Sequence, residues 1–268
     1  MKNKGLIITL IIILFIVIIG LTAFLYLSLS GKLNFQTSFK ILGTKSSNII
    51  FDNSYEIDSI DNLEILSSAG NINFKESTDD KIRVVAYGKN NEELKVSLEE
   101  NKLKVNYSEY KSSNFYIGIN VNFNINDIII YIPKDYSKEI NIDADYGDIE
   151  IIDLENATIN IKEDCGNVKL GKVKNISIES NYGDVEITEI LSKFTIESDY
   201  GDIKIEKVQI TENSYIKSDY GNVKIKETND IYIDAKTNLG DVNINTNNRH
   251  SEITLKIEGD CGDIKVEN

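Results

Sequence analysis

The chain has 268 residues, enough for one or two domains with a sizeable core, and 41% of them are hydrophobic. Its formal charge is −14; Lys2 and Lys4 are the only charges before Lys32, and the remainder, with 27 basic and 43 acidic residues, carries −16. That acidity argues against nucleic acid and against a surface-lying membrane binder, because phosphate backbones and anionic headgroups repel it; it favours solubility and draws cations or basic partners.

The first element is Leu6 to Leu29, LIITLIIILFIVIIGLTAFLYLSL, which contains no charge. At about 1.5 Å per residue these 24 residues reach roughly 36 Å, enough to cross a bilayer with some tilt. Lys2 and Lys4 precede the run and predict an amino terminus held in the cytoplasm, with everything after the span outside. Ser28, Leu29 and Ser30 resemble a signal-peptide cleavage site, but the apolar run is longer than the usual signal peptide core, so an uncleaved single-pass anchor is expected.

After a juxtamembrane stretch with a short strand near Asn48 to Phe51, the sequence reads as a series of β-strands. SAGNINF around Gly70 lies in the first of them, a weak copy of the repeat described below. KIRVVAY at 81–87, LKVSL at 94–98, LKVNY at 103–107, FYIGINVNFNI at 115–125 and IIIYI at 128–132 follow. LKVSL and LKVNY read as a hairpin, and Pro133 ends the last strand before the regular part begins.

From there one pattern repeats seven times: DYGDIEI, DCGNVKL, NYGDVEI, DYGDIKI, DYGNVKI, NLGDVNI and DCGDIKV. Their glycines are Gly147, Gly166, Gly183, Gly201, Gly221, Gly240 and Gly262, spaced by 19, 17, 18, 20, 19 and 22 residues. Two residues after each glycine stands Ile or Val; four after it, Ile, Leu or Val; five before it, Ile in every copy but one, where Ala235 replaces it. Polar residues alternate with these positions, which marks strands with one buried face. Each copy is therefore two short strands joined at a glycine corner. One copy cannot bury its apolar face, whereas stacked copies make continuous columns of Ile and Val. The predicted fold is all-β, a β-solenoid with a right-handed coil favoured by crossover handedness, and a β-sandwich is the runner-up. The glycines are assigned as structural turn residues that tolerate positive φ. Residues 1–30 are thus cytoplasmic tip and anchor, 31–55 juxtamembrane linker, 56–132 an irregular β region and cap, and 133–268 the repeat solenoid.

The order anchor, LEILSSAGNINF, LKVSLEENKLKVNY, IIIYIPK and repeated [DN]-x-G-[DN]-[IV]-x-[IV] resembles the putative-adhesin domain family of bacterial envelope proteins, a domain of unknown function, over roughly residues 56 to 268. The resemblance implies a solenoid-like repeat, no catalytic motif, and a setting beside envelope-stress signalling for some members.

Catalysis finds little support in the residues. The lone His250 sits in the polar turn NTNNRHSE, the only arginines are Arg83 and Arg249, and no acid/base set converges, so neither a catalytic residue nor an organic cofactor is expected. The carboxylates flanking the corner (Asp145, Asp148, Asp184, Asp199, Asp202, Asp219, Asp241, Asp260 and Asp263) would stack in columns about 4.8 Å apart, which suits turn chemistry or, as the alternative, a weak calcium ladder. Tyr146, Tyr182, Tyr200 and Tyr220 precede glycines, and corner packing is the favoured reading over a sugar-binding ladder because Cys165, Leu239 and Cys261 share the column. Counting rungs in sequence order puts Cys165 and Cys261 five steps apart, about 24 Å, too far for a disulfide. The expected function is a non-enzymatic, membrane-anchored surface protein, adhesin-like, meeting an envelope polymer, a surface ligand or a membrane-protein partner. An accessory or sensory role in envelope stress is the alternative, and a polysaccharide-active enzyme is disfavoured.

Overall fold

A computed structural model describes residues 48–88, 94–108 and 127–267. The expected anchor, most of the 31–55 linker and the strand expected at 115–125 lie outside the described residues. Among the described residues no helix is long and apolar enough to cross a membrane.

The strands are β1 (Ile49–Glu56), β2 (Asn62–Ser67), β3 (Ile72–Glu76), β4 (Lys81–Tyr87), β5 (Leu94–Glu99), β6 (Lys102–Tyr107), β7 (Ile128–Ile132), β8 (Glu139–Tyr146), β9 (Ile149–Ile151) and β10 (Leu154–Cys165). They continue with β11 (Val168–Tyr182), β12 (Val185–Ile190), β13 (Phe194–Tyr200), β14 (Ile203–Val208), β15 (Ser214–Tyr220), β16 (Val223–Thr228), β17 (Tyr232–Leu239), β18 (Val242–Ile244), β19 (Thr254–Cys261) and β20 (Ile264–Val266). Among the described residues the one helical element is a short 3-10 turn, Ile57–Ser59.

Parallel pairing sorts these strands into two ladders that meet at the glycine corners. The strand before each glycine pairs with its counterpart in the next copy, in the order β6, β2, β8, β10, the second half of β11, β13, β15, β19, β17. The strand after each glycine does the same, in the order β7, β3, β9, the first half of β11, β12, β14, β16, β20, β18. Column residues lie side by side, as in Ile178 beside Ile196 and Ile196 beside Ile216. The expected all-β, solenoid-like stack is therefore present. The buried core is these columns of Ile and Val, and Ile203, Ile205 and Ile196 have no solvent exposure.

Three features differ from the reading in sequence order. First, the weak copy at Gly70 is a full rung, and β6 with β7 makes one more beyond it, so the columns extend into the region expected to be irregular. Second, β4 and β1 continue one ladder antiparallel beyond β7, and β5 continues the other beyond β6 as the expected hairpin. β1 thereby occupies the end of the stretch assigned to the linker. Third, the last copy does not sit last. Its strands β19 and β20 insert between the Gly221 rung and the Gly240 rung. Hydrophobic sorting accounts for this. Leu255, Ile257, Ile264 and Val266 of the inserted copy are all buried, while the displaced copy carries Ala235 and Thr237 in its inward columns and leaves Val242 exposed. The 22-residue spacing before Gly262, the longest in the series, supplies the chain for the return.

The corner is the tightest part. Gly201 has φ +144°, and a Cβ there would fall on the carbonyl oxygen of Gly183 in the adjacent rung. Gly166 owes its place to the same close approach, since its Cβ would fall on the Gly147 carbonyl oxygen.

Replacing Ile203 by Asp should cost several kcal/mol, roughly 3–5, as an unpaired charge forced into the core; urea denaturation checks it, and a change within about 0.5 kcal/mol would place Ile203 on the surface. The insertion also shortens the path between Cys165 and Cys261 from five rungs to four, about 19 Å, and both are free thiols. Alkylation without reduction, read by mass spectrometry, should label both; a Cys165–Cys261 bridge would contradict the stack.

Candidate functional site

The glycine corner concentrates most of the unusual side chains of the described residues. At the position after each glycine, one side-chain oxygen accepts the backbone N–H of the next rung. The Oδ1 of Asn71 accepts from the Asp148 N–H at 3.0 Å, that of Asp148 from Asn167 at 2.9 Å, and that of Asn167 from Asp184 at 3.0 Å. The chain continues from Asp184 to Asp202 at 2.9 Å, Asp202 to Asn222 at 2.7 Å, Asn222 to Asp263 at 3.0 Å and Asp263 to Asp241 at 2.9 Å. This bond explains why Asp or Asn fills every place in the column: it needs a short side chain ending in an acceptor oxygen. The series also follows the spatial order of the rungs, with 263 before 241.

The column two residues before the glycine is held by two amide–carboxylate bonds between rungs and one ion pair within a rung. The Asn181 amide donates to Asp164 Oδ1 at 2.8 Å, the Asn238 amide donates to Asp260 Oδ1 at 2.7 Å, and Lys217 pairs with Asp219 at 2.8 Å. These contacts bear on the calcium alternative. Asp148, Asp184, Asp202 and Asp263 each turn one oxygen to a backbone N–H, Asp219 and Asp260 meet a lysine and an amide, and Asp145, Asp199 and Asp241 lie in the same two columns. Among the described residues no group of three or more His, Cys, Asp or Glu is arranged to hold a metal ion.

Between these two columns stand the tyrosines. Tyr182, Tyr200 and Tyr220 stack face to face, with centroids 5.0 and 4.9 Å apart and planes within 4° of parallel. The rings thus pack on one another, as the corner-packing reading expects, and they do so in solvent. The four tyrosines are 45% to 57% exposed. Partial burial in the stack, then the neighbouring phenols and the Asp199 and Asp219 carboxylates, hold the Tyr200 hydroxyl above its usual pKa. Cys165 separates Tyr146 from Tyr182, and Cys261 separates Tyr220 from Leu239. Of the eight large hydrophobic residues exposed among those described, Tyr146, Tyr182, Tyr200, Tyr220 and Leu239 share this column. The result is an apolar ridge with carboxylates and amides along both margins. His250 is in the turn between β18 and β19, where its backbone N–H donates to Asn248 Oδ1 at 2.9 Å.

One residue escaped the sequence reading. Three positions before the glycine, the side chain points inward, and the column holds Ser67, Ala144, Ser180, Ser198 and Ser218 but also Glu163. Glu163 is 2% exposed and is flanked by Ala144 and Ser180. Its carboxyl oxygens and the Ser180 hydroxyl make no well-formed hydrogen bond. Burial raises its pKa to about 8 against the lowering pull of the Cys165 backbone, and the smaller repulsion from Asp164 and Asp148 adds to the rise. The signal was visible: an acid in a column otherwise filled by small residues.

On the outer face of the ladder that precedes the glycines lies an open hollow of about 530 Å³, bordered by Glu64, Lys102, Asn141 and Lys162. Two ion pairs line it, Lys102 with Glu64 at 2.9 Å and Lys162 with Glu179 at 2.9 Å. Lys102 is the main reason that the Glu64 carboxyl lies below its ordinary pKa.

Fold and corner together define a repeat protein of the two-ladder, glycine-cornered kind. The chain belongs to the Toastrack DUF4097 family, whose profile matches residues 60–268. Among solved structures it is similar to a putative adhesin from Bacteroides fragilis (18% identity, 82% of this chain and 98% of that one, TM-score 0.46). It is also similar to a putative lipid binding protein from Parabacteroides distasonis (16%, 82% and 98%, 0.41) and to a putative cell adhesion protein from Clostridium sporogenes (14%, 82% and 99%, 0.35). Among curated proteins there is no significant match.

Glu163 makes stability depend on pH. Its folded pKa of about 8 lies above the ordinary 4.5, so the folded state holds a proton that the unfolded chain releases. The protein should lose stability as pH rises from about 4.5 to about 8, by a few kcal/mol at most. Glu163→Gln cannot ionise and should flatten that slope, matching the wild type near pH 5 and exceeding it near pH 9 in urea melts. Parallel slopes for the two proteins would show that Glu163 is charged and solvated.

Proposed function

We propose that this protein is a non-enzymatic surface module of a bacterial envelope, anchored by Leu6 to Leu29 with its amino terminus in the cytoplasm and its repeat body outside. The body meets its partner, an envelope polymer or a surface ligand, along the tyrosine ridge. One observation carries this reading. The side chains of the inner columns are buried along most of the stack, yet the position before glycine keeps large aromatic rings in solvent on rung after rung. An apolar stripe bordered by polar groups is the usual mark of a contact surface. Acidic margins disfavour polyanions, so the partner is neutral or basic. The stacked rings cover one another's faces and present edges and hydroxyls, which suits hydrogen bonding along an extended partner better than stacking of single sugar faces.

The test uses the full chain, detergent-solubilised and labelled, applied to isolated cell envelopes. Replacing Tyr182, Tyr200 and Tyr220 together by Ser should lower retention at least about tenfold while the β signal in circular dichroism persists, since interface energy concentrates in aromatic anchors. Retention equal to wild type would remove the ridge from the contact. Protease added to intact wall-stripped cells should digest the body, whereas a mature chain beginning at Gly31 would refute the anchor.

A further inference from the structure

The two ends of the stack are built differently. At the end where β1 joins, one ladder runs a single strand past the outermost rung and the other runs two, β5 beyond β6 and β4 with β1 beyond β7. The strand edges there are staggered. At the opposite end, the tip, β17 and β18 belong to one rung and meet at Gly240, so both ladders stop level.

The tip is an unfinished layer. In β17 the Tyr232 N–H donates to Ile253 in the loop leading into β19, so by strand alternation Ile233, Ala235 and Thr237 turn their backbone groups away from β19. The Asn247 carboxamide satisfies Ile233, accepting its N–H at 2.9 Å and donating to its carbonyl at 2.8 Å, and so imitates one link of a further strand. In β18 the Asp241 carbonyl and the Asn245 N–H face β20, which leaves Val242 and Ile244 facing outward. No strand lies beyond these groups among the described residues. A core column surfaces here too. Val242 is 42% exposed although its counterparts Val223 and Ile264 are 1% exposed, and beside it Leu239, the last residue of the ridge column, is 69% exposed.

An occupant of the tip must offer two strand edges at once, level with each other, as β17 and β18 are. A second tip does so. The staggered end of another copy does not, because pairing with its β5 would leave its β1 one strand out of line. Side-by-side association is opposed by the acidic margins of the corner. At the tip, Asp234 and Lys236 alternate in sign along β17, so two copies do not present a single charge to each other. We propose that the protein self-associates tip to tip, with β17 and β18 of two copies pairing antiparallel about a two-fold axis and covering each other's Leu239, Val242 and Ile244. The contact stands on strand geometry; only its setting rests on the surface module proposed above. In that setting, many weak contacts between two surfaces add through avidity.

The experiment uses the full chain in detergent, prepared in natural and nitrogen-15 forms, mixed and treated with a short amine-reactive crosslinker. A heavy–light Lys236–Lys236 link is expected, and Val242→Glu should lower its yield at least about tenfold, because a charge would be buried in the contact. Thr237→Pro, which removes an outward N–H from an edge strand that tolerates proline, should do the same if the first variant loses its β signal. Absence of any heavy–light link, links confined to other lysines, or a Lys236 link indifferent to a folded variant would overturn the tip contact. Envelope retention separates the two readings. Absence of the link in the unsubstituted chain, with the tyrosine variant losing retention as expected, sinks tip pairing alone, and a link in the unsubstituted chain that Val242→Glu abolishes, while the tyrosine variant binds envelopes normally, sinks the ridge alone.

Discussion

The whole structure depends on one close approach, the stacking of glycine on glycine at the corner. Each corner backbone sits so near the next that a Cβ would fall on a carbonyl oxygen. The corner N–H bonds across the same gap, as from Gly183 to the Tyr200 carbonyl at 2.9 Å and from Gly201 to the Tyr220 carbonyl at 3.0 Å. A corner this tight sets the register of both ladders. A slip of one residue would move every apolar column to the solvent face and set side chains against the corner carbonyls. The Ile and Val columns, the Asp and Asn ladder and the tyrosine ridge all inherit their alignment from it.

Alignment has an electrostatic consequence, since like residues become neighbours about 4.8 Å apart. The protein handles the resulting rows of carboxylates by giving them bonds. The column after glycine turns one oxygen to the next rung's N–H, and in the column before it Asn181 and Asn238 bond Asp164 and Asp260 while Lys217 pairs with Asp219. The acidic surface is thus part of the scaffold, and the aromatic ridge is the feature for which folding alone has no need. Glu163 is the matching irregularity inside, an acid kept neutral by the corner that surrounds it.

The ends show how a stack that grows by addition is closed. Antiparallel strands turn one end away from further parallel pairing. At the other, the chain doubles back to seat its more apolar copy inside and leaves the weaker copy outermost, where Asn247 blocks part of the edge. Edges left partly open invite another chain, and natural sheets usually restrict which one.

Much of this was legible in the residues themselves. Alternating Ile and Val at fixed distances from glycine determine strands, corners and which side chains are inside, because those depend on local geometry repeated at a fixed period. The Asp and Asn columns were equally visible, although their role as cross-rung acceptors needed the neighbouring rung in place. What only the tertiary structure decided is order and exposure. Identical motifs carry no label saying which copy stacks on which, so the insertion of the Gly262 rung, the extra rung from β6 and β7 and the shorter Cys165–Cys261 path follow from competition between copies for the buried positions. Likewise, a tyrosine before glycine reads the same whether its ring packs inward or stands in solvent, and an inward Glu163 reads as one more polar residue. Both depend on what the adjacent rungs leave beside them, which a single strand cannot state.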